Sequence, residues 1–165
     1  MTSLWLASTG AHTVDLRRYS HDFRVLLGQL EEEGYVLDLE HAIVTVGPYD
    51  AFIDWATAEE PDWNRYTWDA VKVLIERKKL PASAIDKYDS PDTWAKIRAA
   101  GITDEMAYRI GWMHYVQSIA TSILVGDDMP PLVSMGGQPA DGRHRTIAAY
   151  TARMEYAPVL NLEPA

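Results

Sequence analysis

With 165 residues, 47% of them hydrophobic, the chain is long enough for one well-buried core, and its length favours one domain over two. It has no cysteine, which removes disulfides, thiolate nucleophiles and cysteine metal sites and leaves any chemistry to carboxylates, His, Ser, Thr, Tyr, Lys or Arg. The formal charge of −9 is uneven: residues 1–78 carry 14 acids against 7 bases, −7, and residues 79–165 carry 10 against 8, −2. Charge of that sign repels nucleic-acid backbones, so tight non-specific nucleic-acid binding is not expected.

No apolar run reaches the roughly 18 residues that cross a membrane, and Met1-Thr2-Ser3-Leu4-Trp5-Leu6 lacks the regions of a signal peptide. A soluble, cytoplasmic protein without a membrane partner is the expectation. Leu4 to Ala7 reads as a short strand, and the segment on to Ser20 carries mixed signals. Ser20 reads as the N-cap of a helix through Glu33, with Phe23, Leu26, Leu27 and Leu30 at helical spacing and Gly34 as its stop. Glu31, Glu32 and Glu33 sit at its negative pole, either as a solvated acidic face or as a surface for a cation or basic partner.

The β-branched content near His41 to Val46 predicts a strand, ended by Gly47-Pro48. Asp50 to Ala58 and Thr67 to Lys79 read as amphipathic helices. Trp55, Trp63, Tyr66 and Trp68 lie within fourteen residues, a crowding that suits core packing or a stacking platform for a base or a partner's apolar surface. Leu80 to Ile85 looks extended and runs into the turn-like Asp86 to Asp89. Ser90-Pro91-Asp92 starts a helix that should stop at Gly101, and Thr103 caps the longest helix, to about Leu124. His114 on that helix has no second ligand at metal spacing and reads as a surface or packed residue. Gly126-Asp127-Asp128 turns the chain, Pro130 to Met135 forms a strand, Gly136-Gly137 turns again, and Ala157 to Leu162 is the last strand.

Between those strands lies Gln138-Pro139-Ala140-Asp141-Gly142-Arg143-His144-Arg145-Thr146-Ile147-Ala148-Ala149-Tyr150, read as a turn that enters a helix with Asp141 as N-cap. Arg143, His144 and Arg145 then occupy the first turn, where the macrodipole disfavours cations. An anion bound by the helix amides and these side chains together would give the cluster a purpose, and phosphate is the obvious candidate. The plainer alternative is that Asp141 caps the helix and pairs with Arg145 on a solvated surface.

Taken together, the Leu80 to Ile85 strand, Val116-Gln117-Ser118-Ile119 with Gly126, Pro131-Leu132-Val133, Asp141-Gly142-Arg143-His144-Arg145 with Ala148-Ala149, and Pro158-Val159 resemble the ParB/sulfiredoxin-like superfamily over residues 80–163. The resemblance implies a single helix-rich α/β domain with a small sheet, residues 79–165 forming the ParB/sulfiredoxin-like core and residues 1–78 an acidic helical elaboration packed on it. It also implies a phosphate or nucleotide site at Gly142, Arg143, His144, Arg145 and Thr146, with Asp86, Asp141 and His144 as candidate catalytic groups. Asp86 is preferred to Asp89, Asp127 and Asp128 by its place after the first strand. Members of the superfamily use such a site for nucleotide hydrolysis, phosphoryl transfer and nuclease activity, so the fold does not choose among them.

Two departures narrow the choice. The catalytic cysteine of sulfiredoxin is replaced by Arg143, and the DNA-binding and dimerisation domains that follow this domain in partition proteins have no counterpart before Ala165. The first expectation is a nucleotide- or phosphate-binding protein, an ATPase or kinase-like phosphotransferase working with Mg²⁺ and ATP or another nucleotide. The alternative is a non-enzymatic interaction or inhibitor protein whose acidic, aromatic half docks on a basic protein, including as a mimic on a DNA-binding surface. A nuclease ranks third because of charge.

Overall fold

The computed structural model describes residues 3–58, 73, 76–77 and 91–165, without the side chains of 91–94, 104 and 108. The chain divides into two compact units, residues 1–59 with 119–165, and residues 60–118. The expected helix at Thr67 to Lys79, the expected strand at Leu80 to Ile85, and Trp63, Tyr66, Trp68, Asp86 and Asp89 lie outside the described residues, apart from 73, 76 and 77 of that helix.

The fold is mixed α/β and the first unit is built on a five-stranded open sheet. Its strands are β1 (Gly10–Val14), β2 (Ala42–Gly47), β3 (Leu132–Met135), β4 (Gln138–Asp141) and β5 (Ala157–Leu162), in the order β1-β2-β5-β3-β4. Antiparallel pairing joins β1 to β2, β2 to β5 and β3 to β4, whereas β3 and β5 run parallel. Two strands of the sheet therefore come from the stretch expected to be a helical elaboration. β2 fits its sequence, with Ala42, Val44 and Val46 buried and Ile43 and Thr45 exposed in strict alternation. β1 is an edge strand in which only Val14 is buried, so Gly10-Ala11-His12-Thr13 carries no apolar alternation to announce it.

Helix α1 (His21–Glu32) forms as its sequence predicts: the Ser20 hydroxyl accepts the Phe23 N–H, and Phe23, Leu27 and Leu30 are buried. They pack with Leu4, Val14, Leu16, Tyr19, Ala42, Val44, Val133, Leu160 and Leu162, so the main core lies between α1 and one face of β2, β3 and β5. Tyr19 meets Phe23 edge-on at 5.5 Å, and Arg18 binds Asp128 at 2.8 Å while donating to the Tyr19 hydroxyl at 2.9 Å. Leu4–Leu6 is a 3-10 turn, not the expected strand. The Ser3 hydroxyl accepts the Trp5 N–H at 3.2 Å and the buried Trp5 indole donates to the Pro130 carbonyl at 3.1 Å, and these two bonds favour the turn.

Among the described residues four further α-helices follow: α2 (Asp50–Ala58), α3 (Pro91–Ala99), α4 (Asp104–Leu124) and α5 (Arg143–Thr151). The Thr103 hydroxyl accepts the Met106 N–H at 3.2 Å, as the capping argument requires. In the second unit Val73, Ile97, Ile102, Ala107 and Val116 are buried. Among the described residues no helix is long and apolar enough to cross a membrane.

β3 and β4 form a hairpin whose two loop residues, Gly136 and Gly137, both have positive φ, as a tight turn between right-twisted strands requires. β4 was expected as a turn. Pro139 and the absence of β-branched residues argue against a strand, but β4 lies at the sheet edge, where a proline breaks no ladder.

α1 ends on Gly34 at φ 100, with Gly34 donating to the Glu31 carbonyl and Tyr35 to the Leu30 carbonyl. α5 ends in the same pattern, Arg153 donating to Tyr150 and Met154 to Ala149, yet the left-handed position is held by the non-glycine Arg153 at φ 59. Arg153→Gly should therefore raise stability by about 0.5 to 1 kcal/mol, read as a higher Tm.

A second prediction concerns pH. Burial first, and then the charge of Asp128, push the Tyr19 hydroxyl up to about 12. An unfolded tyrosine ionises near pH 10, so this contribution to stability is fully present below pH ~10 and is lost as pH rises from there to the folded value. Melting temperature should fall over that window, and Tyr19→Phe should show a smaller fall.

Candidate functional site

The hairpin, α5 and β5 form a continuous unit: β4 returns along β3, α5 begins two residues after Asp141, which pairs with Val133, and β5 comes back parallel to β3. The cap of α5 is Gly142, at φ 107 and ψ 27, and no side chain caps the helix. The expected cap, Asp141, is instead the last residue of β4, paired across from Val133. Two constraints explain the glycine. A left-handed backbone strains any L side chain, and a Cβ here would stand 2.5 Å from Leu132 Cδ2, 3.3 Å from Arg145 Nη2 and 3.4 Å from Leu132 Cα. Leu132 is fully buried, so it cannot swing aside.

Arg145 is held by the frame. Its Nη2 donates to Asp141 Oδ2 at 3.0 Å and to the Pro131 carbonyl at 3.1 Å, and the side chain is 17% exposed. The pairing of Asp141 with Arg145 that the plainer sequence alternative contained is therefore present, but in a partly buried setting that ties the end of β4 to the start of β3. The Asp141 carboxylate is engaged by that cation. Thr146 turns inward: it is fully buried, and both its N–H and its hydroxyl donate to the Gly142 carbonyl at 2.8 Å.

Arg143 and His144 are half-buried in the first turn. The Arg143 guanidinium lies over the ring of Trp55 with Cζ 4.5 Å from the centroid, a cation–π contact between α5 and α2. Trp55 in turn meets the buried Phe52 edge-on at 5.9 Å and 86°. Tyr49, just before α2, donates its hydroxyl to the Met154 carbonyl at 2.7 Å, so the α2 segment meets the first residue of α5 through Trp55 and the turn after α5 through Tyr49. Burial, followed by the charge of Asp50 and then Tyr150, raises the Tyr49 hydroxyl above its ordinary value. Arg143 occupies one face of the Trp55 ring.

Of the remaining candidates, Asp128 is bound to Arg18, and His114 is exposed on α4. Among the described residues no group of three or more His, Asp or Glu side chains converges in a way that could hold a metal ion. Of the candidate carboxylates near α5, Asp141 faces the Arg145 cation, and Asp86 lies outside the described residues. Sequence reasoning missed the part played by Trp55. Its only signal was the aromatic crowding, and nothing in the order of residues links position 55 to position 143.

Gly142→Ala should cost about 2 to 4 kcal/mol, combining left-handed strain with overlap against Leu132, and should lower Tm by several degrees. A melt within one degree of the unsubstituted protein would contradict the packing at this junction. Comparison of the chain with protein-family models, with curated proteins and with solved structures gives no match.

Proposed function

We propose that the chain is a nucleotide- or phosphate-binding protein of the ParB/sulfiredoxin-like kind, with its anion site at the first turn of α5. The observation that carries this reading is a helix that opens on a glycine, brings no capping side chain to its first-turn amides, and has Arg143 and His144 half-buried in that turn. Negative charge is what such a helix end attracts. The strand order adds support. The segments expected as strands at 131–135 and 157–162 are neighbours in one sheet and flank the helix in sequence.

Within this reading Arg145, bound to Asp141 and the Pro131 carbonyl, holds the frame of the site, and Arg143 and His144, in the first turn of α5, are the residues proposed to meet the anion. That reverses the ranking the motif alone suggests. Binding is proposed here as the activity; an ATPase or phosphotransferase step needs a carboxylate or metal that Asp141 does not supply in this arrangement.

The test is a thermal-shift panel with inorganic phosphate, pyrophosphate, ATP, ADP, CTP and GTP, each with and without Mg²⁺. A ligand at one hundred times its Kd adds about 2.7 kcal/mol and raises Tm visibly. Arg143→Ala should remove most of that shift, losing a charge-assisted contact of roughly 1.5 to 3 kcal/mol, while Arg145→Ala should lower Tm with no ligand present. No shift with any member of the panel would sink the proposal.

A further inference from the structure

We infer that β1 is a self-association edge: two copies of the chain pair antiparallel through Gly10–Val14 about a two-fold axis at His12, joining their sheets. The inference is independent of the phosphate reading. A sheet edge presents main-chain N–H and C=O groups that pair readily with another strand, and folded proteins guard such edges with proline, bulges or charge. The β4 edge is guarded in this way. It carries Pro139, its register against β3 shifts between Val133 and Ser134, and its Asp141 is held by Arg145. The β1 edge has no such device. Among the described residues β1 pairs with β2 alone, in an unbroken register from Gly10 opposite Val46 to Val14 opposite Ala42, and Gly10-Ala11-His12-Thr13-Val14 contains no proline, lysine or acid. Gly10, Ala11 and Thr13 are exposed, and so are Ile43 and Thr45, which stand opposite Thr13 and Ala11 on β2. The one titratable side chain of the strand, His12, is folded back onto the Ser8 carbonyl at 2.7 Å.

Charge and symmetry together single out a second copy as the occupant. A partner has to bring a free strand edge without charge, and the chain carries one in β1 itself. Pairing about the middle residue is self-complementary, as a two-fold interface requires: Gly10 meets Val14 of the second copy, Ala11 meets Thr13, and all five residues find a partner. The nearest acid, Asp15, is bound to Arg17 at 2.7 Å and falls opposite Thr9, so no carboxylate meets a carboxylate along the edge although the chain carries −9. Five residues span about 17 Å, which puts the contact at the small end of stable interfaces and makes the dimer reversible, with a Kd in the micromolar range.

The experiment is sedimentation equilibrium of the full chain over a concentration series, for the unsubstituted protein, Ala11→Lys/Thr13→Lys and Ala11→Lys/Thr13→Glu, with Tm recorded for each. Both positions are exposed, so the fold should persist. In this register the first variant sets lysine against lysine twice across the two-fold axis, and the second sets lysine against glutamate twice. The unsubstituted protein should approach twice the mass of one chain, the first variant should raise Kd about ten-fold, and the second should stay within about three-fold of the unsubstituted value. A chain that is monomeric throughout the series overturns the inference and leaves the β1 edge to water or to another protein's strand. A dimer that both variants leave unchanged, or weaken alike, overturns it as well, because the contact then lies elsewhere or in another register. Should either variant fail to fold, amide hydrogen exchange of the unsubstituted protein carries the decision: slower exchange within residues 10–14 as concentration rises supports the pairing, and exchange there that is independent of concentration overturns it.

Discussion

Strand β5 is hydrogen-bonded on both sides, antiparallel to β2 and parallel to β3, and the sheet depends on that double pairing. Without it the sheet separates into two antiparallel pairs, β1 with β2 and β3 with β4, and two-stranded pairs of that kind are marginal in water. Leu160 and Leu162 carry the same role into the core, where they meet α1 residues from one half of the chain and Val133 from the other. Stability of the candidate site is therefore inherited from contacts made more than a hundred residues apart in sequence. Closing such long loops is entropically costly but grows slowly with length, and burial of the α1 face offsets it.

The junction from β4 to α5 is where the sheet sets the position of the candidate site. An edge strand must stop, reverse its hydrogen-bonding habit and start a helix within one residue, and the positive φ of Gly142 does this while its missing Cβ lets the backbone close on Leu132. Asp141 and Arg145 then bridge the junction, and the arginine also satisfies the Pro131 carbonyl at the start of the neighbouring strand. Removing the arginine would leave a carboxylate and a carbonyl without their donor, which is costlier than never having placed them there.

How much of this was legible in the sequence depended on whether the signal was local. Ser20, Gly34 and Thr103 mark helix ends through bonds to residues at most five positions away, and those ends appear where the residues put them. β2 and β5 announced themselves through β-branched and apolar content. β4 did not, because an edge strand needs neither alternation nor a full set of N–H donors, and Gln138-Pro139-Ala140-Asp141 has the composition of a turn. The cap of α5 was placed one residue early for a related reason: Asp141 has the right chemistry for a cap, but its carboxylate is claimed by Arg145 and its backbone by β4. Trp55 was visible as an aromatic and invisible as the partner of Arg143, since only the fold decides which cation meets which ring.

The division between Arg143 and Arg145 follows from helix geometry. Successive residues advance by about 100°, so positions two apart point roughly 200° from each other, and no single small anion can be reached from both by side chains extended along their own directions. One of the two arginines had to face the sheet and the other had to face away from it. The Arg145 side faces the start of β3, where a carbonyl and a carboxylate are already in place, and the Arg143 side faces α2, where Trp55 presents its ring. A basic pair that looks symmetrical in the motif thus meets two different surroundings, a carboxylate and a carbonyl for Arg145 and the ring of Trp55 for Arg143.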